Sequence, residues 1–176
     1  MKKVVFGVFA SVLGSAFAVM PGIESDSVRL EMQGESAVIT YTLTGTPAVV
    51  TIDLQTNTLA DATGATGDWV SIGGENIGFL RGEANKVVYV TNTPARAWWT
   101  PGKSCPGKTF ASGTLRAEVT AWPTNTPPDY MVVNLCEGQN VVRWYATTNA
   151  FPGGFGNLEY KSTKMVMRKV PAKNVV

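Results

Sequence analysis

The chain has 176 residues, 15 Lys and Arg against 13 Asp and Glu, two cysteines and no histidine. Without histidine the commonest general base is gone, and with it the Ser-His and Cys-His nucleophile pairs; two cysteines alone do not complete a tetrahedral zinc site. Lys2 and Lys3 account for the whole formal excess of +2, so no basic groove for nucleic acid is expected, since such binding rests on many Lys and Arg contacts to phosphate.

Residues 1–18, "MKKVVFGVFASVLGSAFA", read as a signal peptide. Lys2 and Lys3 form a positive n-region, Val4 to Leu13 an apolar run, and Ala16-Phe17-Ala18 the A-x-A cleavage pattern. A membrane anchor needs roughly 20 apolar residues. This run is shorter and is broken by Gly7, Ser11, Gly14 and Ser15. The expectation is an exported chain, secreted or periplasmic or at the cell surface, with no transmembrane segment after cleavage. What remains suits one domain, or one domain plus a linker.

Period-two alternation then dominates. "SVRLEM" alternates Val28, Leu30 and Met32 and meets a turn at "QGES". "SAVITYTLTG" puts Ile39, Tyr41 and Leu43 on one face; "AVVTIDLQTN" does the same with Val50, Ile52 and Leu54. "TGTP" between them is a hairpin or a sheet-switching corner. Further runs follow at 76–80, 85–91, 95–99 and 114–122, each bounded by turn-forming residues. No window outside the leader carries a helical apolar stripe. About seven short strands in about 100 residues predict two packed antiparallel sheets. The fold class expected is all-β: an immunoglobulin- or fibronectin III-like sandwich over 24–122, without the Cys…Trp…Cys spacing of antibody domains.

Beyond Trp122 the texture changes. "PTNTPPDY" is proline-rich, "YMVVNL" and "NVVRWYA" predict a β-hairpin around "CEGQ", and "NAFPGGFGN" predicts a loop. "KSTKMVMRKV" returns to edge-strand content. Residues 123–176 are expected to form that hairpin and a linker extension that crosses the sandwich edge and leaves it.

Few residues suggest chemistry. Cys105 in "KSCPG" and Cys136 in "LCEGQ" both lie in turns. An exported chain could pair them, closing a loop of about 30 residues and contributing ~2–4 kcal/mol; they could equally stay free. The carboxylates Glu31, Asp53, Asp61, Asp68, Glu75, Glu83, Glu118 and Asp129 fall mainly on polar strand faces or in turns, so a glycosidase-like acid pair is a minor alternative. Asp61 and Asp68 lack EF-hand spacing for calcium. No catalytic, metal or cofactor residue is assigned. Trp98 and Trp99 are the candidate binding surface. Core packing is the competing explanation, because adjacent strand residues point to opposite faces.

One stretch carries a more specific signal. "TAWPTNTPPDYMVVNL" and "VVRWYATTNAFPGGFGNLEYKSTKMVMRKVPA" resemble the region before the catalytic domain in exported bacterial proteins of the formylglycine-generating enzyme (sulfatase-modifying factor) family. There a "VTAW"-like strand closes a sandwich, a "PPDYMVVDL"-like hairpin follows, and a "YKTTKLVMRKIPAG"-like strand leads into the enzyme-like domain. The matching residues are Ala121-Trp122, Pro128 to Val133, and Tyr160-Lys161 through Pro171-Ala172. The resemblance implies a non-catalytic accessory or recognition domain whose partner is a catalytic-type domain beginning after Ala172. None of the family's catalytic residues fall within this chain, Cys105 and Cys136 do not match its active-site cysteines, and "KNVV" departs from its "MGS"-like continuation. The alternative is a carbohydrate-binding or adhesion module that meets a glycan or cell-surface protein through exposed tryptophans.

Overall fold

The computed structural model describes residues 20–57, 67–78, 80–89, 94–110, 113–136 and 141–170. The leader expected at 1–18, Asp61 and residues 171–176 lie outside the described residues. The fold is all-β, built of antiparallel sheets in a sandwich-like arrangement with no closed barrel.

The strand β1 (Gly22–Ile23) pairs with β4 (Leu43–Thr44), while β2 (Arg29–Gln33) and β3 (Ser36–Tyr41) form a hairpin across Gly34-Glu35. Gly34 sits at φ 61, the positive value that a two-residue hairpin loop requires there. The long β5 (Ala48–Asn57) begins just after "TGTP", which proves to be the corner that carries the chain from one sheet to the other. Next come β6 (Trp69–Ser71), β7 (Leu80–Gly82), β8 (Lys86–Val88), β9 (Ala95–Trp99) and β10 (Leu115–Pro123). The first sheet runs β2-β3-β9-β7; the second runs β10-β5-β6, with β8 also on β5. The strand expected at 76–80 starts only at Leu80, because a 3-10 turn, Gly74–Asn76, occupies the stretch before it.

Alternation fills the space between the sheets. Ala37, Ile39 and Tyr41 from β3, Ala97 and Trp99 from β9, and Val50, Ile52 and Leu54 from β5 form one continuous core. Each large side chain fully buried there contributes about 1.5–3 kcal/mol. Tyr41 brings a hydroxyl into this apolar space and satisfies it by donating to the Glu83 carbonyl at 2.5 Å. Burial pushes its phenol well above the ordinary tyrosine range, with Glu83 adding to the effect, so the donor proton stays in place.

Residues 123–170 do more than link. The expected hairpin is there, as β11 (Tyr130–Asn134) and β12 (Val142–Tyr145), but β13 (Lys164–Arg168) returns to pair with β11 and completes a third sheet, β12-β11-β13. Val132, Tyr145 and Phe151 make a second, small core beneath it. Nor does the segment leave the sandwich. The Trp144 N–H donates to the Asn85 carbonyl at 2.8 Å, and the Gly153 N–H donates to the Gly74 carbonyl at 3.0 Å. Gly74 is needed at that seam: a Cβ there would stand 2.2 Å from the Phe151 carbonyl oxygen.

Candidate functional site

The two neighbouring tryptophans part company. Trp99 is fully buried, its indole N–H donating to Ser104 Oγ at 3.0 Å and its ring 5.5 Å from that of Phe110. It belongs to the core and cannot form part of a binding surface, which corrects half of the candidate pair. Trp98 is 42% exposed and stands opposite Val38 and Arg81 on the outer face of the first sheet. Its ring lies across the bare α-carbon of Gly82, where a Cβ would come within 2.7 Å of it. Trp98 therefore covers backbone as well as meeting solvent.

The thiols also separate. Both are free: Cys105 is buried, with Sγ 3.4 Å from the Asn76 carbonyl oxygen, and Cys136 is exposed beyond β11. The pairing offered as one option is not made, because one sulfur belongs to the sandwich core and the other to the rim of the third sheet. Burial pushes the Cys105 thiol up, with Lys108 opposing, which keeps it in the unreactive protonated form. In the native protein an alkylating reagent should modify Cys136 rapidly and Cys105 only on unfolding. Equal rates at the two positions would contradict this placement.

A groove opens on the outer face of the second sheet. Because β5 alternates, Thr51, Asp53 and Gln55 point away from the core that Ile52 and Leu54 enter. The same holds for Arg116, Glu118, Thr120 and Trp122 of β10, and the register sets Glu118 directly opposite Asp53 and Thr120 opposite Thr51. Two carboxylates facing each other across a ladder repel. The Gln55 side-chain amide, in a residue only 8% exposed, donates to both: to Asp53 Oδ2 at 3.2 Å and to Glu118 Oε2. Ser71 Oγ donates to Asp53 Oδ1 at 2.6 Å. Arg116 does not reach the carboxylates as an ion pair; its Nε donates to Gln55 Oε1 at 2.8 Å, and its guanidinium lies 4.7 Å from the centre of the Trp69 ring. Trp122 is fixed by its indole N–H, which donates to Thr51 Oγ1 at 2.9 Å.

The segment from Tyr145 to Ala150 forms the opposite wall and encloses a cavity of about 330 Å³. Burial pushes the Tyr145 phenol up to about 12, with Arg143 opposing, so it remains a neutral hydroxyl at ordinary pH. Among the described residues, no group of three or more His, Cys, Asp or Glu converges as a metal site. Asp68, Glu75, Glu83 and Asp129 do not line the groove, and Glu83 pairs with Lys86 at 3.0 Å.

A second surface stands out on the third sheet. The face turned toward the small core carries Tyr130, Val132, Tyr145 and Val166. The register places Met131, Val133, Val142, Trp144, Met165 and Met167 together on the other face, and every one of them is apolar. Met165 and Met167 are exposed, and none of the six packs into either core among the described residues. Pro127, Pro128, Arg168 and Lys169 rim a hollow against Met131, Trp144 and Met167. An antiparallel sheet usually wets one face by making it polar. This one does not.

No family model, curated protein or solved structure matches the chain.

The groove and the apolar face both escape sequence reading in part. Alternation already puts Arg116, Glu118, Thr120 and Trp122 on one side of β10, a polar face ending in an aromatic. Its partner across the ladder could not be named from the sequence.

Proposed function

We propose that this chain is a non-catalytic, exported accessory module of a formylglycine-generating-enzyme-like protein, an immunoglobulin-like sandwich whose C-terminal sheet seats the enzyme-like domain. The observation that carries the reading is the apolar face of Met131, Val133, Val142, Trp144, Met165 and Met167, on which Met165 and Met167 are exposed among the described residues. A domain that follows β13 is tethered beside this face, because Lys169 already borders the hollow against Met131, Trp144 and Met167. Tethering raises its local concentration there. Met165, Met167 and the ring of Trp144 have the adaptable, flat character of docking surfaces, and Lys169 at the rim favours acidic groups on the incoming domain. The absence of histidine supports a recognition role over catalysis.

The test is a Met165→Lys/Met167→Lys chain. Both residues are exposed, so the fold should survive. A dye that brightens on apolar surface should bind the double variant several-fold less than the parent, and affinity for a separately produced enzyme-like domain of this family should fall by about tenfold or more, as when central interface contacts are lost. Unchanged affinity in the variant would end the docking reading.

A further inference from the structure

We propose that the hollow between the third sheet and the edge strand β7 binds a phosphate group, as the free ion or a small monoester. It lies on the inner face of that sheet, opposite the apolar one, so it does not depend on the docking reading.

The first argument is the charge that the strand register gathers there. Arg143 stands opposite Val132, and Lys164 stands opposite Asn134. Every second residue of a strand shares a side, so all four turn the same way as Tyr145. Across the hollow, Arg81 of β7 completes a lining with three cations and, among the described residues, no carboxylate. Lys164 is answered from beyond that lining by Glu159. Arg81 and Arg143 form no ion pair among the described residues. The Arg143 guanidinium reaches only the carbonyl of its neighbour Val142, at 3.3 Å. Like charges brought into one hollow repel, and a guanidinium fork matches the oxygens of an anion.

The second argument is a hydroxyl, independent of those charges. Tyr145 is only 5% exposed, yet its hydroxyl forms no hydrogen bond among the described residues. No enclosed side-chain polar atom is left unbonded among them, so this hydroxyl opens onto a cavity. Tyr145 borders both this hollow and the groove on the second sheet. Its electrostatic neighbours, Arg143 and Tyr160, line the hollow and not the groove, which places the hydroxyl in the hollow. The Tyr160 proton is already committed, donated to the Pro152 carbonyl at 2.9 Å. Burial holds the Tyr145 proton in place, so a donor here faces the cavity and awaits an acceptor.

The third argument selects the anion. Three cations less one carboxylate leave two positive charges around the hollow. A phosphate monoester carries about −1.5 to −2 near neutral pH and offers three strong acceptor oxygens. A simple carboxylate answers only one of the two charges, and its two oxygens lie in one plane. Arg81, Arg143 and Tyr145 come from two different strands, and a tetrahedral group turns oxygens toward each. Guanidinium and ammonium groups accept nothing, so a ligand with acceptors only suits them. The hollow, about 350 Å³, stands at the small end of ligand sites, which run from about 300 to 1,000 Å³.

The experiment is a calorimetric titration of the full chain with sodium phosphate and with glycerol phosphate at constant ionic strength. Sodium acetate and sodium chloride serve as comparisons. The phosphate compounds should bind saturably; equal affinity assigns the phosphate group itself, and tighter glycerol phosphate assigns a monoester. Arg81→Gln and Arg143→Gln should each weaken binding by about tenfold or more, the loss expected when a hydrogen bond to a charged group disappears. Tyr145→Phe keeps the ring, removes the hydroxyl and should weaken binding several-fold. Arg81 is exposed, so its replacement leaves the fold intact, and an unchanged Tm in phosphate-free buffer checks this. Saturating phosphate should raise the Tm of the parent and leave that of Arg81→Gln almost unmoved. The proposal is overturned if neither phosphate compound binds saturably, if acetate or chloride binds as well, or if either arginine variant binds like the parent. It is equally overturned if Lys108→Gln, at the separate hollow beside Phe110, abolishes binding.

Discussion

Trp99→Ala should remove a large part of the stability of the sandwich, while the same change one residue earlier should not. Trp99 is the largest fully buried side chain among the described residues, and its strand sits inside the first sheet between β3 and β7. Deleting an indole from such a place costs about 3–5 kcal/mol through lost transfer energy and the cavity left behind. A domain of this size has about 5–15 kcal/mol in total. The ring also packs 5.5 Å from that of Phe110 and donates to Ser104 Oγ, contacts that alanine cannot make. In urea the unfolding midpoint of Trp99→Ala should drop sharply with its slope unchanged. For Trp98→Ala the drop should be several-fold smaller, since that ring is 42% exposed on the outer face of the sheet. Comparable losses at the two positions would mean that β9 does not alternate as described.

Phe151→Ala should unfold the third sheet without taking the sandwich with it. Phe151 is completely buried, and the rings of Tyr130, Tyr145, Phe155 and Tyr160 stand 5.7, 5.1, 5.6 and 5.1 Å from it. Its removal costs about 3–5 kcal/mol for the cavity, and aromatic pairs add about 0.5–1.5 kcal/mol each. Among the described residues, only Val132 and Tyr145 share that core as buried residues, so little is left to absorb such a loss. Local stability differs from place to place in a fold. Limited proteolysis of the variant should cut between 123 and 170 while a fragment ending near residue 122 resists, and the groove should lose its Tyr145–Ala150 wall. A single cooperative transition with the parent's digestion pattern would show that the two cores stand or fall together.

These two residues mark how far the sequence can be read. Alternation identifies β9 as a strand and says that one of Trp98 and Trp99 must face inward. It cannot say which, because sidedness depends on what the opposite sheet supplies. Phe151 sits in "NAFPGGFGN", where glycine and proline announce a loop, and nothing local shows that a loop residue becomes the hub of a core. The groove is hidden for a different reason. Gln55 and Glu118 are 63 positions apart, and the register that joins them is fixed only when β5 and β10 pair. Strand content, the corner at "TGTP" as one of two options and the hairpin around "CEGQ" are local properties, and those the chain displays openly. Cys105 and Cys136 show the limit again: two similar turns, one covered by the sandwich and one left at the surface.

The outer strand β13 brings one more consequence. It stands at the margin of the third sheet, where exposed backbone donors and acceptors invite a further strand, and its flank of Met165 and Met167 would make that contact adhesive. Within the strand Lys164 is paired with Glu159 and Arg168 lies over the Tyr130 ring, while Lys169 just past it places positive charge at the same margin. A lysine at an edge strand works against pairing with an identical copy. Charge at a strand margin of this kind guards the sheet against adding an identical neighbour.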